Sequence, residues 1–483
     1  MNPFEVVIGG EVITGAASRA VREPWSSEPV AEVAHCDEAA AERAVAHAAA
    51  GFELTRRLPS YVRRDLLRKI AERLTTEQEA FAELIAREAG KPITQARAEV
   101  LRAVSTFDLA SEEVSRDRGE VMALDVTPAA AGYQGQFHRE PSGPVLAITP
   151  FNFPLNLVAH KVAPALACGA TVVVKPSPQA PLSALSLARL VRDVAREVGT
   201  PEGALQVVPC DLPVAERLVK DDRFRVLSFT GSDRAGWHLR AIAGKKRVSL
   251  ELGGNAAALV HEDAPLDYAA DRITTGAFAY AGQVCIKVQW VIVHRAVAER
   301  FVGMLVDRAA RLAPADPMLA ATLMGPMIDE ANAVRVVAWV DEARAAHGTT
   351  ILLAGGRERN RLGPSVIRLA KGTGAGLHVL DDEVFGPVLT VQTYDTWDEA
   401  LALADATRFG LQCGLFTDSL ERIRAAMDRL RVGGLIVGDV PTFRVDNMPY
   451  GGMRDSGLGR EGVRFAMAEM TEPKLVVWAR RPS

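Results

Sequence analysis

Three short segments of this 483-residue sequence carry side chains suited to covalent chemistry on an acyl group. The first, Gly282-Gln283-Val284-Cys285, places a thiol between an expected helix and an expected strand, where a turn could expose it. A free cysteine has a pKa of about 8.5, so it becomes a nucleophile only where its surroundings help it to ionise. The alternative is an inert buried cysteine, because unpaired cysteines are usually buried.

Two further segments could supply a base and a donor to an oxyanion. Glu251 follows an apolar run and precedes two glycines, so it could project from a strand end as a partly buried general base. Asn152 lies between two prolines at the expected start of a helix, where its amide could donate to a developing oxyanion. An ordinary strand end and an N-cap asparagine are the respective alternatives.

The elements expected to position these segments alternate between strands and helices. From residue 143, short β-branched runs predict buried strands, and apolar residues at helical spacing predict the helices between them. The expected strands are 145–148, 171–174, 205–208, 226–229, 288–293, 351–353 and 434–437, and the helices include 182–198, 268–279 and 297–312. Continuous apolar strands in this order predict an α/β fold with mostly parallel sheets covered on both faces.

The N-terminal part is expected to be mainly helical. After a short strand pair, helices are expected over about 37–115, and Thr76 with Glu79 matches a capping box at the start of one of them. The Ala- and Gly-rich stretch 126–137 could leave the first domain, and residues 475–477 predict a terminal strand.

Composition and charge exclude several classes of protein. Hydrophobic residues make up 48% and charged residues 24%, an ordinary globular balance. The net charge of −4 offers no basic field for nucleic acid or an acidic membrane, and no apolar run is long enough to span a bilayer. Five scattered cysteines without a CxxC pair indicate neither a disulfide framework nor a metal site. We therefore expect a cytoplasmic protein.

Seven motifs, taken in order, resemble the aldehyde dehydrogenase superfamily along nearly the whole chain. They are Pro150-Phe151-Asn152-Phe153-Pro154, Val174-Lys175-Pro176-Ser177, Phe229-Thr230-Gly231-Ser232, Glu251-Leu252-Gly253-Gly254-Asn255, Gly282-Gln283-Val284-Cys285, Glu383-Val384-Phe385-Gly386-Pro387 and Pro449-Tyr450-Gly451-Gly452. Cys285 also follows Glu251 by 34 residues, as in that family. The stretch Pro441-Thr442-Phe443-Arg444-Val445-Asp446 is similar to lactaldehyde and non-phosphorylating glyceraldehyde-phosphate dehydrogenases.

The resemblance implies roles for the three chemical segments. Cys285 would attack an aldehyde, Asn152 and the backbone N–H of Cys285 would hold the oxyanion, and Glu251 would activate the water that hydrolyses a thioester. It also implies a Rossmann-like cofactor domain (1–119 and 142–250), an α/β catalytic domain (251–441) and a β-hairpin oligomerisation excursion (120–141 with 470–483). Dimers or tetramers would then form, because such an excursion pairs with the sheet of a neighbouring subunit.

The resemblance further implies NAD or NADP as the cofactor, although the chain has no GxGxxG motif. The implied cofactor residues are Pro150, Phe151, Lys175, Ser177, Pro178, Phe229, Thr230, Gly231, Ser232, Gly236, Leu252, Glu383 and Phe385. Lys175 would reach the adenosine ribose and Glu383 the nicotinamide ribose; the alternative for both is solvated surface charge. NAD-preferring relatives commonly carry Glu where Pro178 stands, so we hypothesise that NADP is accepted.

The substrate end indicates a small polar or hydroxylated aldehyde. Val284 replaces the arginine that relatives acting on phosphonylated aldehydes carry, whereas Arg102, His160 and Arg444 fall where the family lines its substrate tunnel. The alternative is that Arg444 pairs with Asp446 and that Arg102 lies on a solvated helix face.

Two other functions compete with hydrolytic oxidation. In a coenzyme A-acylating dehydrogenase the acyl group would pass to a thiol instead of water, and such relatives often lack the general-base glutamate. An inactive binding protein would retain the fold without the chemistry. Glu251 and Cys285 are both present, which favours the hydrolytic enzyme.

Overall fold

A computed structural model describes residues 4–13, 17–116 and 119–479 of the chain. Its helices are α1 (Glu38–Thr55), α2 (Ser60–Thr76), α3 (Gln78–Ala89), α4 (Ile93–Glu113), α5 (Asn156–Cys168), α6 (Leu182–Val198), α7 (Leu212–Lys220), α8 (Asp233–Ile242), α9 (Leu266–Phe278), α10 (Arg295–Ala309), α11 (Glu330–Ala345), α12 (His378–Asp381), α13 (Trp397–Asp405), α14 (Leu420–Arg429) and α15 (Val463–Glu469). Its strands are β1 (Val7–Ile8), β2 (Glu11–Val12), β3 (Ser18–Arg22), β4 (Pro29–Ala34), β5 (Gly119–Ala123), β6 (Tyr133–Pro141), β7 (Val145–Ile148), β8 (Val172–Lys175), β9 (Leu205–Val207), β10 (Val226–Thr230), β11 (Arg247–Glu251), β12 (Ala257–Val260), β13 (Trp290–His294), β14 (Thr349–Leu353), β15 (Arg357–Glu358), β16 (Arg361–Leu362), β17 (Ser365–Leu369), β18 (Val388–Tyr394), β19 (Gln412–Phe416), β20 (Gly434–Val437), β21 (Gly457–Leu458) and β22 (Thr471–Ala479).

The first large sheet has six strands in the order β21-β11-β10-β7-β8-β9, all parallel except β21. Its strands β7 and β9 are entirely buried, as expected for apolar runs with helices on both faces. Helix α5 is also buried along its whole length and packs on α4 and α15. One apolar core, formed from residues 6–252 with Val463, Met467 and Met470, surrounds this sheet.

The second large sheet has seven strands in the order β14-β17-β18-β13-β12-β19-β20, parallel except for β14. A separate apolar core formed from residues 257–440 surrounds it. Two sheets with two cores confirm the predicted α/β class, a Rossmann-like half and a catalytic half. The domain limits remain a prediction; residues 442–469, which it assigned to neither domain, supply β21 and α15.

A third, antiparallel sheet joins the two distant segments of the predicted excursion. Strand β6 pairs with β5 on one side and with β22 on the other, over nine residues from Tyr133 to Pro141. The β-hairpin therefore does take the C-terminal strand as its third member, as predicted. Both outer strands of this sheet expose apolar side chains, among them Val121, Leu475 and Trp478.

One local prediction in the helical part is wrong. Thr76 does not cap a new helix; it is the last residue of α2, and its hydroxyl donates to the carbonyl oxygen of Glu72 at 3.0 Å. Helix α2 continues through Thr76 itself, and a threonine hydroxyl inside a helix bonds back to the carbonyl four residues earlier. In the part of the chain that the structure describes, no helix combines the length and the apolarity needed to cross a membrane.

Candidate active site

The loop between α9 and β13 carries Cys285 on unusual backbone. Tyr280, Ala281 and Gly282, just before it, all have left-handed φ angles of 53°, 52° and 68°. A side chain at Gly282 would place its Cβ 2.4 Å from the carbonyl oxygen of Gly386, so only glycine fits. Non-glycine residues in this conformation cost about 1–3 kcal/mol each and cluster at functional sites.

The thiol of Cys285 has one polar contact and a charged neighbourhood. Its Sγ lies 3.1 Å from the hydroxyl of Tyr450, and the residue is half-buried whereas the other four cysteines are buried. Burial raises the pKa of Cys285 to about 11, against the hydrogen bond with Tyr450, which lowers it. Glu383 and Glu251 raise this pKa further and Arg444 lowers it, so all three lie within electrostatic reach of the thiol.

Glu251, the last residue of β11, has a buried carboxyl without a fixed partner. It is 3% exposed, and neither of its oxygens hydrogen-bonds to any residue that the structure describes. Burial raises its pKa well above the usual range, and repulsion from Glu461 adds to this, while Arg444 and Lys161 oppose it. A raised pKa makes the Glu251 carboxylate a stronger base, as general-base chemistry requires.

Asn152 lies in the loop after β7 and points towards residues 282–289, the nucleophile segment, which carries Cys285. Its Nδ2 donates to the carbonyl oxygen of Gln283 at 2.9 Å, two residues before Cys285. The alternative that Asn152 is an N-cap is wrong, because α5 begins only at Asn156. The side chain of Glu99 accepts the first backbone N–H groups of that helix instead, at 3.0 Å, and leaves the Asn152 amide for the loop.

A buried charge cluster, which sequence reasoning missed in part, lies beside Glu251. Glu461 accepts hydrogen bonds from Lys161 (2.8 Å) and from Arg444 (2.9 Å), and the Arg444 guanidinium lies 3.7 Å over the ring of Tyr450. Burial opposes ionisation of Glu461, but Lys161 and Arg444 outweigh it and hold its pKa well below the usual range. Lys161 could have been found, because a lysine inside the wholly buried, mostly apolar α5 favours a buried anion as its partner.

The predicted substrate residues divide into two groups. Arg102 donates to Asp446 at 2.7 Å and His160 contacts the same carboxylate at 2.8 Å, whereas Arg444 pairs with Glu461. The alternative in which Arg444 pairs with Asp446 and Arg102 is solvated is therefore wrong. Arg102 on α4 and His160 on α5 both bind Asp446, and these two helices pack on each other. Arg444 binds Glu461 instead and lies within electrostatic reach of the thiol. Val284 is partly buried in the apolar clusters around Tyr280 and Tyr450.

The residues predicted to bind the cofactor follow the carboxyl ends of neighbouring parallel strands. Pro150 and Phe151 follow β7; Lys175 ends β8, with Ser177 and Pro178 after it; Phe229 and Thr230 end β10, with Gly231, Ser232 and Gly236 in the turn and in α8; Leu252 follows β11. This edge is where nucleotides bind in α/β sheets. Glu383 and Phe385 come from the other half: Phe385 packs edge-on against Phe151 at 5.9 Å, and Glu383 accepts the N–H of Gly254 at 3.3 Å.

Four observations fit a dinucleotide at this edge. Ser232 caps α8, whose first turn offers backbone N–H groups to a pyrophosphate. A Cβ at Gly236 would lie 2.4 Å from a side-chain methyl of Leu252, so α8 packs directly on the residue that follows β11. Within the described ranges, the buried hydroxyl of Thr230 has no hydrogen-bond partner. Burial raises the pKa of Glu383 to about 8, and its one fixed donor leaves room for ribose hydroxyls.

Basic groups surround the position where NAD-preferring relatives carry an acid. Burial lowers the pKa of Lys175; Cys210 and Asp211 raise it, and the nearby guanidinium of Arg19 lowers it. Arg19, exposed on β3, borders a small cleft together with Pro178 and Cys210. Sequence reasoning missed Arg19, because no motif connects β3 with the end of β8.

Comparisons with known proteins agree with this geometry. The Aldehyde dehydrogenase family matches residues 13–476. A 3-sulfolactaldehyde dehydrogenase of Priestia megaterium is 39% identical over 478 residues, 99% of this chain and 98% of that protein. The crystal structure of aldehyde dehydrogenase 21 from Physcomitrella patens with its reaction product succinate has a TM-score of 0.95 at 36% identity, covering 99% of this chain and 98% of that one. The glyceraldehyde-3-phosphate dehydrogenase GapN of Methanocaldococcus jannaschii, complexed with NADP, has a TM-score of 0.92 at 34% identity, covering 97% and 100%.

The thiol, the unpartnered carboxyl and the nucleotide-binding edge thus occur in a chain that one family matches over nearly its whole length. The thiol and the carboxyl are both present, and the family match favours an enzyme over an inactive binding protein. The chain belongs to the aldehyde dehydrogenase family and is an NAD(P)-dependent oxidoreductase that oxidises an aldehyde to its carboxylic acid.

Proposed function

We propose that Cys285 is the nucleophile, Glu251 the general base and Asn152 an oxyanion donor. The thiolate adds to the aldehyde carbon, and the oxyanion accepts hydrogen bonds from the Asn152 amide and the Cys285 N–H. The bound nicotinamide supplies the acceptor for the hydride. Glu251 then takes a proton from water, which attacks the resulting thioester, releasing the acid and the thiolate. The observation that carries this proposal is the buried Glu251 carboxyl, which has no partner among the described residues.

Two variants separate the oxidation step from hydrolysis. Glu251→Gln should give one burst of reduced cofactor per active site and then stall, because the thioester forms but is not hydrolysed. Cys285→Ala should give no burst. Cys413→Ala, at a buried cysteine in β19, is the matched control and should turn over as wild type does. A Glu251→Gln enzyme with undiminished steady-state turnover would refute the role of the base.

Hydrolysis is proposed over transfer to coenzyme A because the base lies at the thiol. The free acid should form at the same rate with and without coenzyme A in the assay. Formation of an acyl-coenzyme A, or a requirement for that thiol, would favour the acylating alternative.

We propose a small anionic or hydroxylated aldehyde as the substrate. The Nε of Arg444 is buried and, in residues 4–13, 17–116 and 119–479, has no hydrogen-bond acceptor, although Nη2 binds Glu461. Nδ1 of His160 is likewise buried and without a partner in those ranges. An anionic tail could accept the Nε–H of Arg444. A substrate hydroxyl could donate to Nδ1 of His160, because Nε2–H of that ring donates to the Asp446 carboxylate, and Arg102 lies nearby through Asp446. The relatives above are named for, or hold, molecules with a sulfonate, a phosphate or a carboxylate.

A matched pair of aldehydes tests the tail. Succinic semialdehyde and butanal share a four-carbon chain and differ in one terminal carboxylate. Wild type should favour the acid in kcat/KM, and Arg444→Met should lower this preference at least about tenfold, because a charge-assisted hydrogen bond is lost. A preference that survives in Arg444→Met would exclude Arg444 from substrate binding.

We propose that NADP is accepted, and preferred over NAD. Pro178 removes the carboxylate that would repel a 2′-phosphate, while Lys175 and Arg19 bring positive charge to the same place. Asp211 brings negative charge close to Lys175 and partly offsets these two cations. The ratio of kcat/KM for NADP to that for NAD should exceed one and should fall in Arg19→Ala. A strong preference for NAD in wild type would reject the proposal.

We further propose the domain roles implied above, with the first sheet binding the cofactor and the second holding the nucleophile. Strands β5 and β22, the outer strands of the third sheet, would meet a second copy of the chain, because both expose apolar side chains. Light scattering should give a mass of two or four chains, and Trp478→Glu, at an exposed apolar position on β22, should lower it.

A further inference from the structure

Lys287 is a buried lysine that the proposed reaction does not use. Burial lowers its pKa to about 7, although Glu383 opposes this shift, so part of the Lys287 population is protonated at neutral pH. Lys287 lies two residues after Cys285 and is 2% exposed. Its Nζ donates to the carbonyl oxygen of Val388 at 2.7 Å. No carboxylate of the described residues lies within ion-pair distance of it, unlike Lys161 and Lys91, which are paired with Glu461 and Glu99. Burying an ammonium group against a neutral carbonyl is costly, so this contact needs another explanation.

The Val388 contact connects the two loops that meet at the active site. Val388 begins β18 and directly follows residues 383–387, the cofactor loop, which carries Glu383 and Phe385. Phe385 has a left-handed φ of 44°, so the cofactor loop holds a conformation that a phenylalanine rarely adopts. Lys287 therefore fixes one end of a strained loop to the segment that carries the nucleophile.

Gln289 and Arg335 hold the other end of the cofactor loop. The Gln289 side chain donates to the carbonyl of Asp382 at 2.6 Å and accepts the N–H of Val384 at 2.9 Å. Arg335, on α11, donates to the carbonyl of Val384 at 2.9 Å. Lys287 contacts the first residue of β18, directly after the loop, and is the residue of the nucleophile segment that brings a charge.

We propose that Lys287 is a positioning residue for cofactor binding: it ties the cofactor loop to the nucleophile segment and supplies a cation that favours the Glu383 carboxylate. This inference rests on the proposed role of Glu383 towards the nicotinamide ribose. A carboxylate accepts hydrogen bonds from two ribose hydroxyls, whereas the protonated acid loses one acceptor. Lys287 thus acts through Glu383 and Phe385 and does not touch the reacting atoms.

The charges around Glu383 support the second part of the proposal. Burial raises the pKa of Glu383, and Asp233 raises it further; the Gly254 N–H, Lys287 and Arg335 lower it. These groups face Glu383 from α8, from the loop after β11, from the nucleophile segment and from α11. Without Lys287, the Glu383 carboxylate would be scarcer at neutral pH, and cofactor binding would need a higher pH.

Two substitutions at Lys287, with one matched control, test the proposal in the full-length enzyme. Lys287→Met removes both the hydrogen bond to Val388 and the charge, whereas Lys287→Arg keeps a hydrogen-bond donor and a charge. Lys246→Met is the control, since Lys246 is also buried and also donates to a backbone carbonyl, that of Ala243, but before β11. The first readout is the Kd of NADP by titration calorimetry. The second is the rate at which iodoacetamide alkylates Cys285 without cofactor.

We expect Lys287→Met to raise the Kd of NADP about tenfold at pH 7, the effect of one pKa unit at Glu383, and to leave alkylation within about twofold of wild type. In Lys287→Met, the pH range over which the affinity for NADP rises should shift to higher pH. In Lys287→Arg, this range should return to that of wild type. Lys246→Met should change neither readout. An unchanged Kd in Lys287→Met, or a Kd and an alkylation rate that deteriorate together, would overturn the proposal.

Glu383→Gln separates this inference from the function on which it rests. If Glu383→Gln weakens NADP binding and Lys287→Met does not, the role of Lys287 fails and that of Glu383 stands. If Glu383→Gln binds NADP as wild type does, the proposed contact with the ribose fails first, and the role of Lys287 with it.

Discussion

Replacing Glu461 by glutamine should make Glu251 a stronger acid. The pKa of Glu251 is raised first by burial and second by repulsion from Glu461. Glu461 also occupies Lys161 and Arg444, the two cations that lower the pKa of Glu251. Glu461→Gln removes the repulsion and leaves both cations without their anion. Both changes act in the same direction, so the pKa of Glu251 must fall.

The size of the shift follows from the charge removed. A like charge close to a buried carboxyl raises its pKa by roughly one to three units. Loss of that charge, together with two unbalanced cations, should lower the pKa of Glu251 by at least about one unit, or about 1.4 kcal/mol. The base form of Glu251 is present above its pKa, so the alkaline rise of the hydrolysis rate should begin about one pH unit earlier. At a given pH below the pKa of Glu251, the fraction of carboxylate should therefore grow, partly offset because the base is weaker.

The assay is the pH profile of kcat for a substrate whose hydrolysis is rate-limiting, established by a burst of reduced cofactor. Asp446→Asn is the matched control, because it neutralises another buried carboxylate of the neighbourhood, one bound to His160 and Arg102 instead. Its alkaline limb should coincide with that of wild type. A limb in Glu461→Gln that stays in place, or moves to higher pH, would refute the electrostatic account of Glu251.

Three further outcomes follow from single contacts. Tyr450→Phe should raise the pKa of Cys285 above about 11, because the hydrogen bond that opposes the effect of burial is lost. Alkylation by iodoacetamide at pH 8 should then slow about tenfold for each unit by which this pKa rises. Unchanged alkylation would show that the contact with Tyr450 does not affect the thiol. Pro178→Glu should lower kcat/KM for NADP at least about tenfold and spare NAD; an equal loss with both would indicate general damage to the site. Glu99→Gln should lower the free energy of unfolding in urea by about 3–5 kcal/mol, because it leaves Lys91 buried without its anion. The double variant Lys91→Met/Glu99→Gln should recover most of this, because it removes the unpaired ammonium and keeps an amide oxygen for the N–H groups of Leu155 and Asn156. A double variant no more stable than Glu99→Gln would contradict that reason.

Strand ends and their order could be predicted from the sequence because they depend on local apolar runs. The helix expected over 182–198 has the bounds of α6, and the strand expected over 434–437 has those of β20. The strand after Cys285 begins at Trp290 and not at residue 288. Lys287 and Gln289 use their side chains to hold the cofactor loop, and an apolar pattern does not carry that information.

The pairing of charges could not be predicted, because it joins residues far apart in the chain. Lys161 and Glu461 are separated by 300 positions and belong to no common motif. The choice between Asp446 and Glu461 as the partner of Arg444 likewise depends on where α4 and α5 place Arg102 and His160.

The two buried glutamates of the active site owe their opposite behaviour to their partners. Glu251 and Glu461 are 3% and 2% exposed, so burial opposes ionisation of both. Glu461 accepts two charge-assisted hydrogen bonds and stays ionised, whereas Glu251 faces the same cations without a hydrogen bond from any described residue and has a raised pKa. Groups whose environments push their pKa values apart can take separate roles in acid–base chemistry. The fixed charge of Glu461 neutralises Arg444 and Lys161 beside the thiol, and this keeps the pKa of Glu251 raised, as its proposed role as a base requires.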